Sequence, residues 1–265
     1  MKNRILIFLS LLLMVPYLFA QDTEGGDQEE MLVGGKYTGG NLYVLNPSAG
    51  DGFSVQRVTL NGKDYPFTQN SNAFEISLSD YLPNDYVIVQ IAYLKGTEPK
   101  VVNAESLVKE SEFSIPSFIF NKKTKLIAWN HEEMDKTCNY RLEQFLYGNW
   151  ITVKELGRPD DMIADTYLPV LLTGMNLFRI KQIDPSGKEL FSPVVKLKSP
   201  NRKVLLVADK VKDFIEFTAV THYELYDANG FFIKRGTAQK VNVSDLKKGN
   251  YWINFDGKEA FITKK

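Results

Sequence analysis

Past residue 40 the chain repeats one pattern: runs of β-branched and aromatic residues, about five to nine long, separated by dipeptides that favour turns. In AFEISLSDYL and YWINFD apolar and polar positions alternate with a period of two, as in strands with one buried face. YVIVQIAYLKG is apolar on both sides. Val87, Val89, Ile91 and Tyr93 share one face, opposite Ile88, Gln90, Ala92 and Leu94, so this strand is predicted to be central in its sheet. Hairpins are predicted at Asn61-Gly62, Asn229-Gly230 and Asp256-Gly257, residue pairs that supply the positive φ angles of tight turns. EPKVVNAESLVKESEFSI has room for one helical turn, but Pro99 and the β-branched pair exclude a long helix. The expectation is an all-β chain of tandem sandwiches.

The N-terminus breaks the rhythm. MKNR is followed by ILIFLSLLLMVPYLFA and then by polar residues, the order of a secretory signal cleaved between Ala20 and Gln21. The apolar run is shorter than the ~20 residues of a spanning helix, and Pro16 interrupts it. QDTEGGDQEEMLVGGKYTGG is rich in Gly and acids and poor in large apolar residues, so 21–40 is read as a flexible acidic leader. Three β-sandwich modules follow, over 41–115, 116–198 and 199–265. The third is small and has no disulfide to brace it, so it is expected to dock on its neighbour.

The second module carries KLIAWN, NYRLEQFLYGNWITVKEL, TYLPV and NLFRIKQIDPSGKELFSPVVKLK, with an early Trp129 and a long late strand ending in Asp184-Pro185-Ser186-Gly187. This stretch resembles a fibronectin type III domain, with Trp129 where that family places its core tryptophan. The resemblance implies that Trp129 and Tyr167 are core residues rather than ligand-stacking ones.

In the third module ELYDANGFFIKRG, VNVSDLKKGNYWINF and AFITKK follow one another in the order and spacing of the C-terminal sorting domain of the type IX secretion system of Bacteroidota. The resemblance rests on a turn at Asp227, Asn229 and Gly230, a Leu-x-x-Gly-x-Tyr element at Leu246, Gly249 and Tyr251, and a last strand finishing at Lys264 and Lys265. Independently of the family, Gly249 lets the chain turn without a Cβ clash. Tyr251, Ile253 and Phe255 are then expected to alternate inward while Leu246 closes the end of the sandwich.

The module order over 41–198 also resembles the plug subunit of the type IX outer-membrane translocon. That resemblance implies a non-catalytic periplasmic protein attached to the translocon barrel and other type IX proteins, filling a wide lumen by bulk. The sorting-domain resemblance implies the alternative, a secreted or surface-attached adhesin or carbohydrate-binding cargo exported by the same system.

Charge and chemistry narrow the field. The whole chain carries 32 basic and 32 acidic residues, and loss of Lys2 and Arg4 with the signal leaves a net charge near −2, which argues against nucleic acid as partner. The distribution is uneven: residues 21–33 hold five acids and no base, whereas 199–265 hold twelve bases against eight acids, a weakly basic docking face or a solvated surface. Cys138 is the sole cysteine, so no intrachain disulfide forms, and it is read as a buried thiol rather than a nucleophile assisted by His131. With only His131 and His222, neither a His metal site nor a Ser-His-Asp triad is expected. HEEMD is not H-E-x-x-H, and Asp160-Asp161 reads as a loop pair rather than a glycosidase dyad. No catalytic residue, metal or cofactor is expected. Candidate partner contacts are Phe53, after a Gly-rich loop, and Phe231 with Phe232, of which one is expected to be exposed because neighbours along a strand face opposite ways.

Overall fold

The computed structural model describes residues 28–109, 112–115, 117–162, 165–199 and 203–265. Ala20 and Gln21, the expected cleavage site, lie outside the described residues. The described chain is built of β-strands with two short 3-10 turns, Ala104–Ser106 and Pro159–Asp161. They pack around three separate cores of apolar side chains. The architecture is a tandem of immunoglobulin-like and fibronectin type III-like β-sandwiches.

The N-terminal module faces a five-stranded sheet against a three-stranded one. The larger sheet runs in spatial order Leu107–Val108, Gln28–Tyr37, Tyr86–Leu94, Val55–Leu60, Lys63–Asp64; the smaller runs Ala73–Ile76, Leu42–Leu45, Lys100–Val101. Tyr86–Leu94 is flanked on both sides, as its two apolar faces predict, and Val87, Val89 and Ile91 are fully buried between the sheets with Leu42, Val44 and Ile76.

The expected leader of 21–40 is corrected from Gln28 onward. Gln28–Tyr37 is a ten-residue strand, antiparallel to the central strand from Gln28 opposite Leu94 to Lys36 opposite Tyr86. Backbone hydrogen bonds hold a strand whatever its side chains, and Met31 and Val33 add contacts to the core. Its glycines serve a close approach rather than freedom: a Cβ on Gly35 would sit 2.4 Å from the Val108 carbonyl oxygen.

In the middle module Phe118–Asn121, Leu126–Trp129 and Thr166–Tyr167 form one sheet. Asn149–Gly157, Asn139–Leu146 and Gly174–Ile183 form the other, with Glu189–Phe191 and Val195–Ser199 both paired to the far side of Gly174–Ile183. Three strands of one sheet thus face five of the other in a fibronectin type III-like sandwich. Trp129 is 3 % exposed at its centre beside Cys138, Tyr140 and Phe178, and Tyr167 packs against the same core.

The C-terminal module is a single sheet, ordered Lys210–Val211, Lys258–Lys264, Gly249–Phe255, Phe214–Asp227, Phe232–Asn242, that bends into two layers. The bend lies in its longest hairpin, whose register shifts between Glu216 and Thr221. Before the bend, Phe214–Asp227 exchanges hydrogen bonds with the segment around Leu205 and Val207; after it, the same strand pairs with Gly249–Phe255. Ile215, Phe217, Leu225, Ile253 and Ile262 fill the space between the layers.

Candidate functional site

The motif residues of the C-terminal module occupy two turns and the last strand. Asp227 closes the first turn: its Oδ1 accepts from the Asn229 and Phe231 amides at 2.9 Å each, and its carbonyl accepts from Gly230 at 3.1 Å. Only Gly230 of the Asn229-Gly230 pair has positive φ, at 84°, so this turn carries a one-residue bulge, whereas at Asp256-Gly257 both residues are left-handed. In the second turn Leu246 is half-buried against the core and its amide donates to Val243 O at 3.1 Å. Gly249 opens the following strand at φ 153°, and the Tyr251 hydroxyl donates back to Lys247 O at 2.8 Å, tying the turn to the strand it starts. Tyr251, Ile253 and Phe255 point inward. Lys264, although charged, is only 8 % exposed, while Lys265 is exposed.

The aromatic candidates differ from expectation. Phe231 and Phe232 are both exposed, at 71 % and 49 %, because Phe231 belongs to the turn and escapes the alternation of the strand that begins at Phe232. Phe53 is half-buried in the short ribbon formed by Gly52–Phe53 and Ser48–Ala49.

The residues considered for chemistry are held apart. Cys138 is buried and accepts a hydrogen bond from Gln182 Nε2 at 3.1 Å, His131 pairs with Asp165, and Asp160 pairs with Lys136 at 2.7 Å. Asp160 and Asp161 sit in the 3-10 turn that starts at Pro159, not in open loop.

What the structure adds is a polar joint between the middle and C-terminal modules. Asp256, whose carboxylate is fully buried, accepts at 2.6 Å from Thr173 N, at 2.8 Å from Thr173 Oγ1 and at 3.0 Å from Val204 N. Lys258 Nζ donates to Val204 O at 2.8 Å beside it. On the other side of the joint Tyr147 Oη donates to His222 O at 2.6 Å, and His222 Nε2 lies 3.0 Å from Val170 O. A carbonyl only accepts, so Nε2 carries the imidazole proton and Nδ1 accepts from the Thr237 hydroxyl at 2.7 Å. Tyr147 reaches this position because it has φ 50° in the tight turn with Gly148. Burial pushes its hydroxyl well above the usual tyrosine range, with Glu224 and Asp256 adding to the effect.

Burial also lowers the pKa of His222, against a smaller raising effect of its bond to Val170. Protonation therefore favours the separated or unfolded state. The stabilisation is complete above the ordinary histidine pKa of ~6.5 and is lost as pH falls from there through the lowered folded value. A thermal-unfolding series between pH 5 and 7.5 should show the C-terminal module losing stability on the acid side. The slope should flatten in His222→Gln; an equal slope in the variant would remove His222 as its cause.

The N-terminal module meets the middle one through rings. Tyr86 lies 5.9 Å from Trp150 and 6.0 Å from Phe145. Arg179 fills the centre of this stack, its guanidinium carbon 3.8 Å from the Phe191 ring centre, 4.2 Å from Trp150 and 5.4 Å from Tyr86. All three modules border a cleft of about 770 Å³, lined among others by Tyr81, Tyr86, Trp150 and Lys258.

No curated protein matches the chain. Among solved structures it is similar to the chicken CNTN1 FN1-FN3 domains, at 10% identity over 88% of this chain and 97% of that one, with a TM-score of 0.21. It is also similar to SGBP-B of the Bacteroides ovatus mixed-linkage glucan utilization locus in complex with a mixed-linkage heptasaccharide, at 14% identity over 81% and 60%, TM-score 0.19. A third is the tetra-tandem repeat in the extending region of a large adhesion protein, at 10% identity over 90% and 75%, TM-score 0.20. Scores this low carry no argument about function. A family model does match part of the chain: residues 207–265 match the secretion system C-terminal sorting domain, which relates this protein to the type IX secretion system through its last module.

Proposed function

We propose that the chain is a cargo of the type IX secretion system: a non-catalytic protein carried to the cell surface or the medium by its C-terminal module, where its two other sandwiches act as an adhesin through contacts with proteins or glycans. The observation that carries this is the sorting-domain match over 207–265. It weighs toward cargo and away from a resident plug of the translocon, since a sorting domain is a handle for export. No helix among the described residues is long and apolar enough to cross a membrane.

Fractionation of the native host combined with intact-mass measurement tests the proposal. The mature protein is expected at the surface or in the medium, beginning at Gln21 and lacking roughly its last sixty residues, a removal that spares the two other modules because each module has its own core. A chain that stays in the periplasm with Lys265 intact and is recovered with the translocon barrel would reject it in favour of the plug.

A further inference from the structure

On the outer face of the C-terminal sheet the register aligns four aromatic side chains from four adjacent strands. Phe261 lies opposite Trp252, Trp252 opposite Tyr226, and Tyr226 opposite Phe232. Their sequence neighbours Tyr251, Ile253, Leu225 and Ile262 point into the core, so this row contributes nothing to it. Phe232, Phe261 and Trp252 are 49 %, 43 % and 37 % exposed, and Phe231, beside Phe232 in the turn, is 71 % exposed. Trp252 and Phe261 meet edge to face at 4.9 Å, as do Tyr226 and Phe232 at 5.8 Å, and Arg235 lies 4.9 Å over the Phe232 ring.

The surroundings of the row say what fits it. Toward the middle module the same face continues through Glu224 to His222, which is already covered by Val170, so the row is the uncovered continuation of an existing interface. Toward the other end the face runs through Asn250 and Thr263 to the ends of their strands, which the exposed Lys248 and Lys265 flank. Tilted rings give no flat platform for stacking a sugar, whereas Trp, Tyr and Arg are the side chains that concentrate binding energy in protein contacts.

We propose that this aromatic row, with Lys248 and Lys265 at its border, is the surface by which a protein of the export apparatus grips the C-terminal module. The partner's seat is apolar and rimmed by carboxylates that meet the two lysines. The inference rests on the reading that residues 207–265 direct export, and names the partner chemistry of that module.

Three full-length chains and one truncation are compared in the native host: wild type, Trp252→Ser with Phe261→Thr, Lys248→Glu with Lys265→Glu, and a chain lacking 207–265. Export is expected to fall at least about ten-fold for the aromatic pair and about three-fold for the lysine pair, with circular dichroism and melting of the purified variants unchanged. A folded aromatic variant exported like wild type would overturn the surface and leave the export reading standing; export of the truncated chain at the wild-type level would overturn both. Should the aromatic pair fail to fold, the lysine pair decides alone, and wild-type export of that variant sinks the proposal. Purified wild type is expected to sediment as a monomer and to ignore vesicles of phosphatidylcholine with phosphatidylglycerol. Self-association or vesicle binding that the aromatic variant loses would assign the face to a second copy or to lipid, against the proposal.

Discussion

Asp256→Ala is expected to release the C-terminal module from the middle one and to lower its stability by about 3 kcal/mol, because one buried carboxylate accepts three hydrogen bonds there. Its removal takes the carboxylate acceptor away from the amides of Thr173 and Val204, and a buried donor that loses its acceptor costs more than a typical hydrogen bond contributes. Part of the loss has a separate origin: Asp256 sits at φ 47°, where alanine is strained. Asp256→Asn separates the two effects, since asparagine tolerates that backbone and keeps one acceptor oxygen but turns an amide toward a second donor; its loss should be about half. Hydrogen exchange at the Thr173 and Val204 amides reads the joint directly. Protection at both amides unchanged in Asp256→Ala would show that the carboxylate does not hold the modules together.

The second large effect is expected at the ion pair buried beneath the ring stack. Arg179 and Glu143 have side chains 5 % and 3 % exposed and meet at 2.8 Å, with Lys181 at 3.2 Å from the other carboxylate oxygen. Removing Arg179 leaves the buried Glu143 carboxylate with Lys181 as its remaining counter-charge, so Arg179→Ala should cost the middle module about 3 kcal/mol. It also empties the space between Trp150 and Phe191 that the guanidinium occupies. Replacing both charges together, as Arg179→Met with Glu143→Leu, should recover most of the loss, because apolar side chains of similar volume need no counter-charge. Urea unfolding followed by tryptophan fluorescence checks this, as Trp129 and Trp150 both belong to this module. A single variant that loses less than about 1 kcal/mol would mean that the site reorganises around the missing charge.

These two sites mark the limit of what local sequence patterns carry. Period-two alternation and Asn-Gly or Asp-Gly turns depend on residues close in the chain. Hence the central position of Tyr86–Leu94, the inward set Tyr251, Ile253 and Phe255, and the turns at Asn61 and Asp256 were legible. The strand Gln28–Tyr37 was not, because its reason is a partner: the central strand supplies its hydrogen bonds, and the Val108 carbonyl leaves space only for glycine at position 35. The joint was hidden for the same reason. Tyr147, Thr173, His222 and Asp256 are far apart in sequence and individually ordinary, and only module packing turns them into one network. In the aromatic row Phe232 stands out through its doublet with Phe231, while Trp252, Phe261 and Tyr226 join it only through register across four strands.

The short pairing at the edge of the C-terminal module has a mechanical meaning. Lys210–Val211 runs parallel to Thr263 and Lys264, and the flanking bonds from Thr263 N to Asp209 O and from Lys265 N to Val211 O lie at 2.7 and 2.9 Å. Tension applied between the entrance of the module and its tail therefore slides these two strands past one another instead of peeling them open. Every bond of the patch bears the load at once, so a machine that hauls on the tail meets a clamp rather than a zipper.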